Sequence, residues 1–186
     1  METFTATLAT LAAAALLSAC ATVGGPDART ASIQRTANGV AHITAPDPET
    51  LAFGMAYAYA QDNVCMTADQ LVTVRGERAR YFGAATPGLL ARRMFPNEQL
   101  DLFIAAHMDD AALARAWAGA SAETQAMARG AVAGYNRYLS DAAGKQPAAC
   151  ANQPWVKPMT LAEFRRQTEL TAVQAATAAL ADAVLG

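Results

Sequence analysis

The chain has 186 residues and a formal net charge of −2; 53% of its residues are hydrophobic and 16% are charged. These values are typical of one globular unit and exclude a disordered or collagen-like chain. The scattered Lys and Arg residues lack the clustering that nucleic-acid binding needs, so no nucleic-acid partner is expected. About a quarter of the residues are alanine, which favours helix. The low charge indicates a segment outside the folded body or a surface covered by a partner.

The first 20 residues are predicted to be an export signal. Their apolar run, residues 8–17, is shorter than the ~18–20 residues that a membrane-spanning helix needs. The run ends in Leu17-Ser18-Ala19-Cys20, which resembles the lipobox of bacterial lipoproteins, where the cysteine is lipidated. A signal peptide cut elsewhere, or a buried helix with an incidental cysteine, is the alternative. The predicted organisation is a signal peptide (1–20), a flexible tether (21–31) and one folded unit (32–186), anchored by lipid in the periplasm of a Gram-negative bacterium.

The two cysteines after Cys20 are predicted to form a disulfide. An even pair, Cys65 and Cys150, in an exported chain fits an oxidising compartment, where such bonds persist. Closing a loop of that length would stabilise the fold by about 4–5 kcal/mol on chain-entropy grounds. Two unrelated buried thiols are the alternative.

A β-hairpin is predicted to open the folded unit. The β-prone runs 32–34 and 40–43 flank Asn38-Gly39, a strong hairpin turn signal because both residues tolerate positive φ. The hairpin is the only sheet that the sequence predicts, so the fold class is mainly α with a short N-terminal β-hairpin.

A long helical stretch follows the hairpin. Asp47 is a suitable N-cap, and Pro48 loses nothing in the first turn, where its missing N–H has no partner. The apolar positions continue to Gly83, as one long helix or as two helices with a bend near Asp62. Gly76 lies inside this run, and we expect it at a close backbone approach, because glycine is otherwise unfavourable within a helix.

The second half of the chain is predicted to be helices separated by loops. Residues 84–96 hold two prolines and one glycine and are predicted to be a loop, after which Asn97 can cap a helix. The apolar face of that helix is Leu100, Phe103, Ile104 and His107. The remaining predicted elements are a short helix at 111–117, a helix capped by Ser121 that runs to Gly144, a loop at 145–157, and a last helix that begins at the capping box Thr160 to Glu163.

The residue inventory contains no visible active site. His42 and His107 have no partner at metal-ligand spacing, so no metal site is expected. The serines Ser32, Ser121 and Ser140 lie in no nucleophile-elbow pattern. The charged residues Arg75, Glu77 and Arg78 are interpreted as structural ion pairs or interface contacts.

Three segments in order resemble the start of the penicillin acylase family. They are residues 38–45, 53–63 and 76–83, which match a Gly-Val-x-His-Ile strand, a Gly-x-x-x-Ala-x-Ala-x-Asp helix and a Gly-x-x-x-x-x-Phe-Gly stop. The segments 62–70 and 150–158, which contain the two cysteines, are similar to the acyl-homoserine-lactone and aculeacin acylase branch. The similarity runs from about Ile33 to the C-terminus.

This resemblance implies the α chain of an N-terminal nucleophile hydrolase with an αββα fold. Such precursors cut themselves into α and β chains, and the first residue of the β chain is a serine whose own α-amino group is the base. The catalytic residues are therefore expected outside this chain, and the β chain is the expected partner. Gly186 is either the self-cleavage junction or a premature end.

The resemblance also implies a share in the substrate pocket. In the family the last α-chain helix contributes apolar side chains to the acyl pocket, which by rough alignment fall near Leu170 and Val173. No cofactor is expected; some members hold calcium through an α-chain glutamate, and no residue of this chain is assigned to such a site. The implied function is cleavage of the acyl amide of N-acyl-homoserine lactones, penicillins or lipopeptides. The alternatives are a truncated, inactive lipoprotein and a helical periplasmic binding module.

Overall fold

The computed structural model describes residues 20–24, 30–91 and 93–177. Most of these residues are helical, which confirms the mainly α fold class. The described elements, in chain order, are β1 (Cys20–Gly24), β2 (Thr30–Arg35), β3 (Ala41–Thr44), α1 (Pro48–Arg75), α2 (Arg78–Phe82), β4 (Pro87–Leu90), β5 (Arg93–Pro96), α3 (Asn97–His107), α4 (Asp110–Ala118), α5 (Ala122–Asp141) and α6 (Leu161–Thr177). Within these residues no helix has both the length and the apolar composition that crossing a membrane requires.

The predicted N-terminal hairpin is confirmed. Strands β2 and β3 pair antiparallel with Arg35 opposite Ala41, and their turn closes where the Thr36 N–H donates to the Val40 carbonyl at 3.0 Å. Of the Asn38-Gly39 pair only Gly39 has positive φ, at 82°. The turn thus needs glycine at one position only.

The predicted tether differs from the structure over part of its length. Residues 20–24 form β1, which pairs antiparallel with the free edge of β2. Thr30 and Ala31, also assigned to the tether, belong to β2, and Ala31 is fully buried. The open edge of β2 offers unpaired backbone groups, which a neighbouring strand satisfies. Residues 25–29 and all of the predicted leader (1–20) except Cys20 lie outside the described residues.

Helix α1 begins and bends as predicted but ends earlier. The Asp47 carboxylate accepts from the Thr50 N–H at 2.8 Å, and Asn63 has non-helical angles (φ −134°, ψ 24°) next to the expected bend at Asp62. The helix ends at Gly76, whose left-handed φ of 67° makes it a C-cap. The expected close approach at Gly76 is wrong, because a Cβ there would lie 3.6 Å from the Asp101 carbonyl oxygen, an ordinary van der Waals contact. Helix α2 then runs separately to Gly83.

Helices α1 and α5 run in the same direction in very close contact. A Cβ on Gly130 would lie 2.0 Å from the Glu49 carbonyl oxygen, and one on Gly134 would lie 2.1 Å from that of Phe53. Two apolar clusters lie along α1. The sheet and α5 pack on Phe53 and its neighbours before the bend, while α3, α6 and another part of α5 pack on the helix around and beyond it.

The predicted loop at 84–96 is wrong, because β4 and β5 form a hairpin there. Its turn residue Ala91 has φ 48°, so no Asn or Gly marks the turn in the sequence. Contacts from elsewhere in the chain hold the hairpin: the Ala91 N–H donates to the Gln174 side chain at 3.3 Å, and the Asn97 N–H donates to the Thr86 carbonyl at 3.0 Å.

Asn97 does not cap α3, contrary to prediction. Its side chain is fully buried, accepts from Arg78 Nε at 2.8 Å and donates to the Gly83 carbonyl at 2.9 Å. The carbonyl groups of Ala84 and Thr86, just before β4, accept hydrogen bonds from the first N–H groups of α3 instead. The Asn97 side chain therefore binds the buried Arg78 guanidinium rather than the end of a helix.

The C-terminal signals are confirmed. Ser121 Oγ accepts from the Thr124 N–H at 3.1 Å at the start of α5. Thr160 and Glu163 exchange hydrogen bonds as a capping box at the start of α6. The irregular segment between these helices contains Cys150, which is bonded to Cys65 of α1 as predicted.

Candidate functional site: an apolar groove between the helices

An open apolar groove of about 660 Å³ lies between the helices of the described residues. Strand β3 and helices α1, α4, α5 and α6 supply its lining. The lining residues are Ala41, Ile43, Ala52, Met55, Ala56, Ala58, Tyr59, Asp62, Trp117, Thr124, Met127, Ala128, Ala131, Phe164 and Thr168. The alanines on α1 and α5 keep the space between the two helices wide enough for other atoms to enter.

Large exposed side chains border the groove. Met55 and Tyr59 of α1 are 51% and 49% exposed, and Met127 of α5 faces the same space. On the opposite side the Trp117 and Phe164 rings meet edge to face, with their centroids 6.1 Å apart. Exposed apolar side chains gathered in one concavity are typical of a surface that another molecule covers.

Asp62 is the one charged residue of the groove lining, and it is held by Arg35. The Arg35 guanidinium donates to Asp62 Oδ2 at 2.9 Å, to Gln61 Oε1 at 3.0 Å and to the Ala58 carbonyl at 3.1 Å. It also donates to Gly39 in the hairpin turn. Arg35 therefore ties the hairpin to the bend of α1 and balances the charge of Asp62. Nothing in the sequence indicated that Arg35 binds Asp62, because 27 residues separate them and no local motif links them.

A second, polar cavity of about 430 Å³ lies beside the N-terminus of α6. Its lining charges are Arg75, Glu77, Lys157, Glu163 and Arg166. Arg75 pairs with Glu163. Arg166 pairs with Asp110 at 2.7 Å. Lys157 lies 3.9 Å from Glu77. The interpretation of Arg75 and Glu77 as structural ion pairs is confirmed. Each charged side chain around this cavity has a partner, and the pairs connect α1, α2 and α6.

Burial and ion pairing shift the pKa values of two groups near this cavity. Burial raises the pKa of the Tyr135 hydroxyl to about 12, so it stays neutral. Burial alone would raise the pKa of Glu163, but hydrogen bonds from Arg75 and Thr160 outweigh it, and the net pKa lies below the ordinary 4.5. Glu163 is therefore ionised in the folded protein well into the acid range.

The Glu163 pKa predicts an acid-sensitive contribution to stability. Because the folded-state pKa is below the unfolded value, the contribution is complete above pH 4.5 and is lost as the pH falls through the folded-state pKa. We expect Glu163→Gln to lower the urea midpoint near neutral pH, and the difference from wild type to shrink as the pH falls below 4.5. The control is Glu169→Gln, an exposed position on the same helix. A Glu163→Gln difference that stayed constant with pH would contradict the assignment.

The histidines and serines do not assemble into a nucleophile and base. His42 is exposed on β3, and His107 is exposed at the end of α3, where its ring stacks on Phe103. Among the described residues no hydrogen bond joins either histidine to a serine or a carboxylate. Ser121 serves as a helix cap. Over residues 20–24, 30–91 and 93–177, no three His, Cys, Asp or Glu side chains are grouped closely enough to hold a metal ion.

The predicted pocket residues lie on α6, away from the groove. Leu170 is 2% exposed within the main apolar cluster, and Val173 packs against the same cluster. The groove is instead lined by Phe164 and Thr168 of this helix. A role for Leu170 and Val173 in an acyl pocket stays a prediction, as does lipidation of Cys20, the first residue of β1. Gly186 lies outside the described residues.

Comparison with known proteins identifies the family. The sequence profile of the family described as Penicillin amidase matches residues 30–183. The chain belongs to the penicillin amidase family. The curated acyl-homoserine lactone acylase PvdQ of Pseudomonas syringae pv. tomato is 39% identical over 157 residues, which are 84% of this chain and 20% of that protein. Aculeacin-A acylase of Actinoplanes utahensis is 34% identical over 164 residues, which are 83% of this chain and 20% of that protein.

A solved structure shows the same fold. Penicillin G acylase from Alcaligenes faecalis matches with a TM-score of 0.63 and 22% identity, over 82% of this chain and 74% of that chain. The resemblance that the sequence motifs indicated is therefore confirmed, together with the fold. The chain spans about a fifth of the length of the curated relatives it matches.

Proposed function

We propose that the chain is the α subunit, or N-terminal part, of an acylase that cleaves the acyl amide of N-acyl-homoserine lactones. The observation that carries the proposal is the family match over 30–183, combined with 39% identity to a lactone acylase. The similarity to aculeacin-A acylase supports lipopeptides as alternative substrates, and the family name supports penicillins.

The proposed chemistry divides between two polypeptides. By the family resemblance, the serine at the start of the β chain attacks the amide carbonyl, its α-amino group takes the proton, and the β chain supplies the oxyanion donors. The described residues contain no competing nucleophile and base, so this chain contributes scaffold and part of the walls around the substrate. Leu170 and Val173 are the proposed contribution to the acyl pocket.

The proposed location is the periplasm, with Cys20 carrying a lipid anchor. The disulfide between Cys65 and Cys150 supports an oxidising compartment, because such bonds are rare in the cytosol. The predicted leader before Cys20 supports export, and the lipobox supports attachment to the membrane.

Expression of the chain alone and of the complete reading frame tests the proposal. We expect the chain alone to hydrolyse no N-acyl-homoserine lactone, and the complete precursor to yield two polypeptides and to release the fatty acid. Replacing the first residue of the new β chain with alanine is the control and should abolish both self-cleavage and activity. Hydrolysis by the isolated chain, or none by a processed complex, would refute the proposal. A reading frame without an in-frame serine after Gly186 would favour the truncated, inactive lipoprotein.

A further inference from the structure

We infer that the apolar groove is the seat of one uncharged, apolar segment of the polypeptide that follows this chain in the precursor. The inference rests on the proposed function, since it takes the remaining four-fifths of a family member as the partner. It goes further by assigning the contact to one surface and by stating the chemistry of the segment.

The lining of the groove sets that chemistry. Alanines form much of it, the other lining side chains are mainly thioethers and aromatic rings with one isoleucine and two threonines, and Asp62 is the one charged group. Met55 and Met127 stand on opposite helices and adapt their shape to an incoming side chain, because methionine is flexible and polarisable. A charged side chain placed here would lose its hydration without gaining a partner. The segment therefore presents apolar side chains to α1 and α5.

Asp62 adds one polar requirement at the groove lining. Arg35 occupies Oδ2 of the carboxylate, and Oδ1 accepts no hydrogen bond from any described residue. Because Arg35 already balances the charge, a neutral donor suffices, such as a backbone N–H or a hydroxyl group. The segment thus combines apolar side chains with one hydrogen-bond donor opposite Asp62.

The position of the proposed acyl-pocket residues argues against the substrate acyl chain as the occupant. Leu170 and Val173 lie in or against the main apolar cluster, and neither lines the groove. Covering it with polypeptide would bury Met55, Tyr59 and Met127 together, and the low charge of the chain is consistent with one covered surface.

Two methionines on α1 provide a matched experiment. Met55 is 51% exposed and lines the groove, while Met66 is 47% exposed and does not. In the complete precursor, a benzoylphenylalanine cross-linker at position 55 is expected to attach to the downstream polypeptide, and the same group at position 66 is not. A cross-link from position 55 to a second copy of this chain, to residues of this chain alone, or to an added radiolabelled acyl lactone would overturn the inference.

Charge substitution gives a second readout of the same contact. We expect Met55→Glu to reduce the downstream polypeptide that co-purifies with this chain by about tenfold or more, and Met66→Glu to leave it within about twofold. Equal recovery from the two variants would overturn the inference. The uncharged cross-linker decides the question even where the Met55→Glu precursor is insoluble. A cross-linked complex that hydrolyses no acyl amide would refute the proposed function but not the contact between the groove and the downstream segment. An active complex without the cross-link would refute that contact alone.

Discussion

Replacing Gly134 with alanine is expected to destabilise the fold by about 3 kcal/mol or more, as for a severe overpacking substitution. The new Cβ would lie 2.1 Å from the carbonyl oxygen of Phe53 and 2.9 Å from the carbonyl carbon of the same residue. Both contacts are to the backbone of α1, which cannot rotate away as a side chain can. The helices would have to separate, and that movement would disturb packing along the whole pair. Urea unfolding, with soluble yield as a first screen, measures the effect.

Two further alanine substitutions frame this result. Gly130→Ala should behave like Gly134→Ala, because its Cβ would lie 2.0 Å from the Glu49 carbonyl oxygen. Gly119→Ala is the control: its nearest neighbour, the Ala116 carbonyl oxygen, is at 3.5 Å and its φ is −84°. We expect Gly119→Ala to change stability by less than about 1 kcal/mol. A Gly134→Ala protein that unfolded at the wild-type urea concentration would show that α1 and α5 do not pack this closely.

The close packing of α1 and α5 also explains the position of the groove. Gly130 and Gly134 bring the two backbones together along one line, and Tyr57 extends that contact by donating to Asp141 at 3.1 Å. Alanines on the neighbouring faces of both helices then leave space that this chain does not fill. One set of small residues therefore stabilises the fold, and another set creates the candidate site.

Local signals in the sequence predicted local structure well. Asp47, Ser121 and the Thr160–Glu163 box each act within three residues of their own position, so their partners are visible in the sequence. The bend near Asp62 was also predicted, although the residue with non-helical angles is Asn63. Capping chemistry depends on neighbours along the chain, which is the information that a sequence carries directly.

Contacts between distant segments account for what was missed. The β4–β5 hairpin has no Asn or Gly turn signal and relies on Gln174 and Thr86. Asn97 looked like a cap, yet its partner Arg78 lies 19 residues away. The groove likewise gathers residues from five elements, so its lining was not visible as a motif. These residues give no indication of a catalytic centre, and in the proposed function the nucleophile belongs to a separate β chain.

Removing the disulfide is expected to produce the second large loss of stability. The bond joins Cys65 of α1 to Cys150 across 85 residues. By restricting the unfolded chain, a loop of this length stabilises the fold by about 4–5 kcal/mol, which is an upper value for the stability lost without it. The double variant Cys65→Ala and Cys150→Ala avoids leaving one unpaired thiol in the fully buried site of Cys150. We expect its urea midpoint to fall well below that of wild type.

Reductant supplies the control for this prediction, because it breaks the same bond without changing the sequence. Dithiothreitol should lower the wild-type midpoint toward that of the double variant and leave the variant unchanged. Arg75 holds the segment after Cys150 through the Trp155 carbonyl, and Trp155 packs on Phe82. The reduced protein is therefore expected to keep its helices in dilute buffer and to unfold at lower urea, which circular dichroism measures directly. A wild-type midpoint insensitive to reductant would show that the bond adds nothing to these contacts.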